Sequence, residues 1–313
     1  MPLIIPQTHF FTAVSRRLIV GVIALHMLAA TLPAFAETAA APAIEPAPAE
    51  VEPAKTEPVP PLLSQPLQSD RITGEYVNSY FTDTGKILVS PVNWDRYDWM
   101  KAGLVIGATS GLMLVDADIR DFARRNQTSL GNKAAAFENS LGNPLYTLPP
   151  FGLFYLYGHI YDDPKARQTS LLAAESLAIS GAFAWTLKVT TQRPRPFTGA
   201  TPGTWNGPSS KMSDYSFPSG HATAAFSVAS VLAEEYGTNP YVPPIVYGLA
   251  TLTGFARVYG DKHWASDVFF GGAIGYFVGK AVVRYHTVLG DAPLTILPTI
   301  SQQGFGVMAE YRF

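Results

Sequence analysis

Three short polar clusters hold the residues of this chain best suited to covalent chemistry. The first is Lys188 followed, after six intervening residues, by Arg195 and Pro196; the second is Pro218-Ser219-Gly220-His221; the third is Arg257, His263 and Asp267. This inventory suits a phosphate. Arg presents a planar fork to phosphate oxygens, and Lys a compact charge. Ser219 is a natural helix cap, Gly220 lets the backbone approach a ligand closely, and the N–H groups of a first helical turn attract an anion. His221, on that turn, is placed to protonate a leaving alkoxide. His263 and Asp267 lie four residues apart. A carboxylate bonded to one ring nitrogen would fix the histidine tautomer and leave the other nitrogen free to attack phosphorus. Taken singly, the clusters have plainer explanations: a helix-end cation with a basic loop, a capping Ser-Gly step, a structural His-Asp pair. Their conjunction in one stretch favours a single site.

The segments that must position these residues read as helices. Lys188 closes an apolar run over 168–188 that contains Glu175, and a helix C-terminus favours a cation. Pro194 and Pro196 then hold an extended segment that aims Arg195 inward, with Arg193 in a supporting or solvated place. Further helices are expected over 221–236, 245–259 and 266–285, with Ser266 capping the last. Upstream, Asn93 is expected to cap a helical region whose 101–115 portion is rich in Gly, Ala, Leu and Val, small residues that permit close packing. An amphipathic piece over 119–126, a short helix over 133–141 and an aromatic one over 148–160 follow, whereas 70–95 gives no assignment. The Gly/Ser/Thr-rich loop 197–217, with Trp205 and Tyr215, is expected to line the pocket mouth.

In their order and spacing, with 21 residues between Pro196 and Pro218 and 35 between His221 and Arg257, the three clusters resemble the type 2 phosphatidic acid phosphatase superfamily. That superfamily also takes in bacterial acid phosphatases and vanadium haloperoxidases. The resemblance covers 94–285 and departs at Ala256, where the family usually has Ser. It implies an all-α bundle of about six core helices. It implies His263 as the nucleophile of a phosphohistidine, Asp267 orienting it, and His221 as general acid and then base. Lys188, Arg195, Arg257, Ser219 and Gly220 would hold the phosphoryl oxygens. No metal or other cofactor is implied. Vanadate would act as an inhibitor, or as the cofactor if the chain were a haloperoxidase, and an inactive envelope-binding protein is a further alternative. The substrate is a phosphorylated lipid or a small phosphate ester.

Hydrophobic residues make up 47% of the 313 residues and charged ones 15%, and the net charge of −2 gives no reason to expect nucleic acid. The absence of cysteine excludes disulfides, thiolate chemistry and cysteine metal sites. Arg16 and Arg17, the apolar run 18–30 and Ala34-Phe35-Ala36 have the layout of a secretory signal peptide over 1–36, which predicts a periplasmic protein beginning at Glu37. Residues 37–68 form a Pro/Ala-rich spacer, 69–290 the phosphatase domain, and 291–313 a strand or hairpin tail in which Phe305, Val307, Ala309, Tyr311 and Phe313 alternate. Charged interruptions such as Glu175 favour a periplasmic bundle touching a membrane over integral insertion. Leu112 to Val115 followed by Asp116 and Asp118 imitates the start of a haloacid-dehalogenase phosphatase, but Arg120 occupies a place that needs a small or branched residue. A solvated helix end suits these acids better, and His159 and His286 read as packing or surface residues.

Overall fold

Thr73 accepts the N–H of Tyr76 at 3.1 Å and opens the first helix, α1 (Gly74–Val89). The computed structural model describes residues 70–129, 131–133, 135, 144–209, 215–287, 294–301 and 304–311. The expected signal peptide and spacer, and most of the expected helix over 133–141, lie outside them. After a 3₁₀ turn, Asp95 accepts the N–H of Asp98 at 2.8 Å and starts α2 (Arg96–Arg125). Asp95, rather than the expected Asn93, is the cap, and α2 runs unbroken through the two helices expected there. Next come α3 (Pro144–Ile160), which contains Pro149 and Pro150, and α4 (Pro164–Thr191), capped by Asp163. The others are α5 (Gly220–Glu235), α6 (Val242–Tyr259) and α7 (Ala265–Thr287). At the C-terminal end, β1 (Leu294–Ser301) and β2 (Gly304–Tyr311) pair antiparallel, with Leu294 opposite Tyr311.

The architecture is an all-α bundle centred on α5, which packs against α4, α6 and α7. Its sequence is rich in Ala, Ser and Thr, and these small side chains let α7 approach closely. On α7 the approach falls at Gly271, Gly275 and Gly279. A Cβ at these positions would stand 2.5 Å from the Ser219 carbonyl, 2.2 Å from that of Thr223 and 2.7 Å from that of Ser227, respectively. Leu172 and Ile179 of α4, Val231 of α5, and Val278 and Val282 of α7 fill one core. Phe226 and Ala229 of α5 with Tyr247 and Ala250 of α6 fill a second. Burying each large aliphatic side chain contributes roughly 1.5–3 kcal/mol. The glycines of α2 behave differently. A Cβ on Gly103, Gly107 or Gly111 would meet nothing within 4 Å, so the small residues of this helix do not mediate packing within the described chain.

The exterior is unusually apolar. Leu104, Ile106 and Leu114 of α2 are 68%, 61% and 85% exposed. Leu153 and Ile160 of α3, and Ile245, Leu249, Leu252 and Phe255 of α6, also face outward. Three helical segments, Arg96–Arg125, Pro164–Thr198 and Ala265–His286, are long and apolar enough to cross a bilayer.

Candidate active site

The polar residues of all three sequence clusters gather at one end of the bundle, where α4 and α6 finish and α5 and α7 begin. Lys188 sits in the last turn of α4. Gln192 then takes a left-handed conformation (φ 47°) and its N–H bonds the Lys188 carbonyl at 3.0 Å, which stops the helix and turns the chain back. Arg195, in extended conformation, precedes a short 3₁₀ turn begun by Pro196. The Lys188 ammonium donates to the backbone carbonyls of Tyr215 and Pro218, so it bridges α4 to the segment that leads into α5. A Cβ on Gly220 would stand 3.7 Å from Lys188 Cε, which places the lysine chain over the N-terminus of α5. Ser219 caps α5 through its hydroxyl, which accepts the Ala222 N–H at 3.5 Å, and its own N–H is committed to the Asp267 carbonyl at 2.9 Å. Toward a phosphate, Ser219 therefore has its hydroxyl hydrogen to offer and not its backbone N–H.

His263 lies on the turn between α6 and α7. The N–H groups of Lys262 and His263 both bond the Arg257 carbonyl, at 2.9 and 3.2 Å, and Asp261 (φ 59°) is tied to Arg124 of α2 at 2.5 Å. The imidazole is buried. Its Nδ1 is 2.8 Å from the backbone carbonyl of Ser216, which can only accept, so Nδ1 carries the hydrogen and Nε2 the lone pair. This differs from the expected direct bond to Asp267, whose nearer oxygen is 3.7 Å from Nδ1. Asp267 acts one step back: it accepts the Trp264 N–H at 2.9 Å and the hydroxyl of Ser216, the residue whose carbonyl holds the ring. It is the third residue of α7, and its bond to the N–H preceding that helix makes Trp264, not Ser266, the cap. Burial holds the His263 imidazole well below its ordinary pKa, and the neighbouring charges of Lys188, Arg195, Arg257 and His221 push it in the same direction. The ring is thus neutral at neutral pH, with the three expected cations and the second histidine gathered about it.

Sequence reasoning gave little weight to the network beneath these residues. Arg193 is fully buried. Its Nη1 donates to Asp267 at 2.5 Å and its Nη2 to Asp116 of α2 at 2.7 Å. The guanidinium also lies 5.1 and 5.4 Å from the rings of Trp205 and Trp264. Asp116 accepts the Ser266 N–H at 3.0 Å and the Ser266 hydroxyl, so a carboxylate from α2 serves the first turn of α7. The expected solvated helix end at Asp116 is therefore overturned: the residue is buried and paired with Arg193. The segment before it is helical, which also removes the strand that a haloacid-dehalogenase site requires. A carboxylate inside a long apolar helix is the signal that could have marked it.

A cavity of about 360 Å³ opens beside this centre. Lys188, Gly220 and His221 form its polar end, and Ala174, Ala178, Gly181, Ala184 and Trp185 of α4 continue it toward Leu148 of α3. Neither Trp205 nor Tyr215 lines this cavity. Trp205 instead packs edge-on against Phe217, and Tyr215 is buried. The one group of three potential metal ligands among the described residues, Asp83, Glu175 and His286, lies elsewhere.

Parts of the chain are similar to known proteins. A 66-residue stretch is 42% identical to the lipid A 1-phosphatase of Porphyromonas gingivalis; it makes up 21% of this chain and 15% of that relative's length. Among solved structures, a transmembrane PAP2 type phosphatidylglycerolphosphate phosphatase from Bacillus subtilis aligns with a TM-score of 0.47 and 20% identity, over 60% of this chain and 96% of the other. LpxE of Aquifex aeolicus aligns with a TM-score of 0.44 and 22% identity, over 54% and 94%. The PAP2 superfamily matches residues 169–291, the segment that holds Lys188, Arg195, Ser219, Gly220, His221, Arg257, His263 and Asp267.

Proposed function

We propose that the protein is a membrane-embedded phosphatase that hydrolyses the phosphate ester of a lipid through a phosphohistidine. Lys188, Arg195 and Arg257 neutralise the phosphoryl oxygens, and the first turn of α5 adds hydrogen-bond donors. His263 Nε2 attacks phosphorus as the bond to the ester oxygen breaks, and His221 gives that oxygen its proton. His221 then takes a proton from water, the resulting hydroxide attacks phosphorus, and His263 leaves with its lone pair restored. Inorganic phosphate departs and both histidines return to their starting states. The cradle's cations supply the charge stabilisation, so no step is routed through a metal.

One observation carries the choice of a lipid over a soluble ester. The cavity wall from Ala174 to Lys188 follows a single stripe of α4 for about 21 Å; apart from Ser180 it is lined by apolar and small residues up to the end that bears Lys188, Gly220 and His221. A phosphate held at that end leaves an attached hydrocarbon chain lying along the stripe. The apolar exterior of α2, α3 and α6 supports placement in a bilayer, with α2, α4 and α7 crossing it, in preference to a periplasmic bundle resting on the surface.

The test compares phosphate release by the purified full chain from phosphatidate in mixed micelles and from p-nitrophenyl phosphate. Hydrolysis of the lipid at a kcat/KM at least tenfold higher is expected, with both activities lost in His263→Ala. Equal rates, or preference for the soluble ester, would defeat the lipid assignment. Lipid activity surviving in His263→Ala would defeat the mechanism.

A further inference from the structure

α1 is held to the bundle by the wrong kind of residue. Its buried side chains are Tyr76 and Asp83, whereas Val77, Phe81 and Leu88 are 52%, 66% and 61% exposed. Asp83 meets Glu175 of α4 and His286 in the last turn of α7; the two carboxylate residues are 2% and 0% exposed, and the imidazole side chain 11%. One ligand atom from each, Asp83 Oδ2, Glu175 Oε2 and His286 Nε2, lies within 4.8 Å of the others. We propose that these three residues form a binding site for a divalent transition-metal ion of the zinc or manganese class, which clamps α1 to α4 and α7.

The outward oxygen of each carboxylate is already occupied. Lys86 donates to Asp83 Oδ1 and Ser79 to Glu175 Oε1, both at 2.9 Å, and Thr82 adds a longer bond to Asp83 Oδ1 at 3.4 Å. These bonds fix both carboxylates so that Oδ2 and Oε2 turn toward His286 Nε2, at 3.3 and 3.0 Å. None of the three inward atoms makes a hydrogen bond of normal geometry, nor does the buried hydroxyl of Tyr76, whose ring lies 5.2 Å from that of His286. The two distances match the edges of a coordination shell: metal–ligand bonds of ~2.1 Å give donor–donor edges of ~3.0 Å in an octahedron and ~3.4 Å in a tetrahedron. A proton on His286 is the competing occupant. One N–H lies along one axis and cannot serve both carboxylate oxygens well, whereas a cation on that axis serves both and also accepts a fourth oxygen donor. Two carboxylates and a neutral imidazole, with no thiolate, are a set that zinc and manganese accept. Lys86 offsets only part of the carboxylate charge, which leaves the cavity attractive to a cation.

This site is separate from the catalytic centre. His286 follows Asp267 by 19 residues on α7, about 28 Å along the helix, and Glu175 precedes Lys188 by 13 on α4, about 20 Å. Its role is structural, so its test does not depend on the phosphatase reading.

The full chain, purified in detergent, is stripped with EDTA, dialysed, reloaded with zinc chloride or manganese chloride, desalted, and assayed for metal content and thermal midpoint. One zinc or manganese per chain is expected, with a rise of several degrees in the midpoint on reloading. Asp83→Asn and His286→Gln should each lose the bound metal and the rise while still hydrolysing phosphate ester at 25 °C. Wild-type protein that retains less than a tenth of an equivalent of either metal, or whose midpoint ignores both, overturns the proposal. So does full metal retention in His286→Gln. Should either variant fail to fold, the wild-type stoichiometry decides alone.

Discussion

At the scale of single residues, the proposed mechanism assigns each nitrogen of His263 one task. The Ser216 carbonyl takes the Nδ1 hydrogen, and burial, with the surrounding charges acting in the same direction, keeps a second proton off Nε2. The sign of the pH dependence follows. In that mechanism attack requires the neutral ring, and burial together with Lys188, Arg195, Arg257 and His221 lowers its pKa, so the acid limb attributable to His263 is expected below the ordinary imidazole value of 6.5. Nitrogen NMR of His263 should show Nε2 unprotonated at pH 6.5. In Arg257→Ala, where one repelling charge is gone, the titration should move upward; a downward or absent shift would contradict this electrostatic account. Asp116 invites a second prediction. Asp116→Ala leaves Arg193 paired with Asp267 alone and strips the buried Ser266 N–H of its acceptor, and an unsatisfied buried donor typically costs about 1–3 kcal/mol. Thermal unfolding should show a fall of several degrees, and kcat should drop more than KM rises because Asp267 loses its brace. The motif residues were legible because their side chains announce phosphate chemistry. The direct His263–Asp267 bond was misread because its replacement is a backbone carbonyl from residue 216, which no side-chain pattern reveals. Asp116 was misread because its partner lies 77 positions further along the chain.

Among the elements, α7 carries both the catalytic turn and the surface that seats it. Gly275 is the tightest point, since a Cβ there would stand 2.2 Å from the Thr223 carbonyl of α5. Backbone cannot yield as a flexible side chain does, so Gly275→Ala should lower stability by ~1–3 kcal/mol or more, as overpacking does. Gly103→Ala in α2 is the matched control: nothing stands within 4 Å, and removing a helical glycine should stabilise by ~0.5–1 kcal/mol. Thermal midpoints moving in opposite directions are the expected result; a shared direction would mean that helix propensity outweighs the α5–α7 contact. Helices α4 to α7 were readable from sequence because their apolar runs end in clear caps and turns. The element α1 was not, because what it buries is polar. The unbroken α2 was read as two pieces because the polar residues after Leu114 look like a helix end, while Asp116 in fact points inward to Arg193.

At the scale of the whole molecule, the question is which solvent the bundle's outside is built for. Only 17% of the most apolar stretch of α2 is buried among the described residues, which leaves most of that surface to water, to lipid or to another protein segment. Water would leave Leu104, Ile106 and Leu114 unpartnered together with the outward face of α6, an area far beyond the scattered apolar residues of ordinary soluble surfaces. Lipid resolves this at no cost to the proposed active site, because its residues gather at the helix ends rather than at mid-depth. Membranes from cells expressing the full chain should therefore retain it through washing at alkaline pH, and detergent should be needed to release it. Leu104→Lys sharpens the test. The side chain is 68% exposed and lies 12 residues, about 18 Å, along α2 from Asp116, which is level with the start of α7, and a lysine deep in a bilayer costs about 2.5–3.5 kcal/mol on insertion scales. The variant should insert less and accumulate in the wash or be degraded, while the molecules that do insert hydrolyse phosphatidate at the wild-type rate. Quantitative release of the wild type by the alkaline wash would return α2 to a water-facing surface, and its apolar face would then have to be covered by protein.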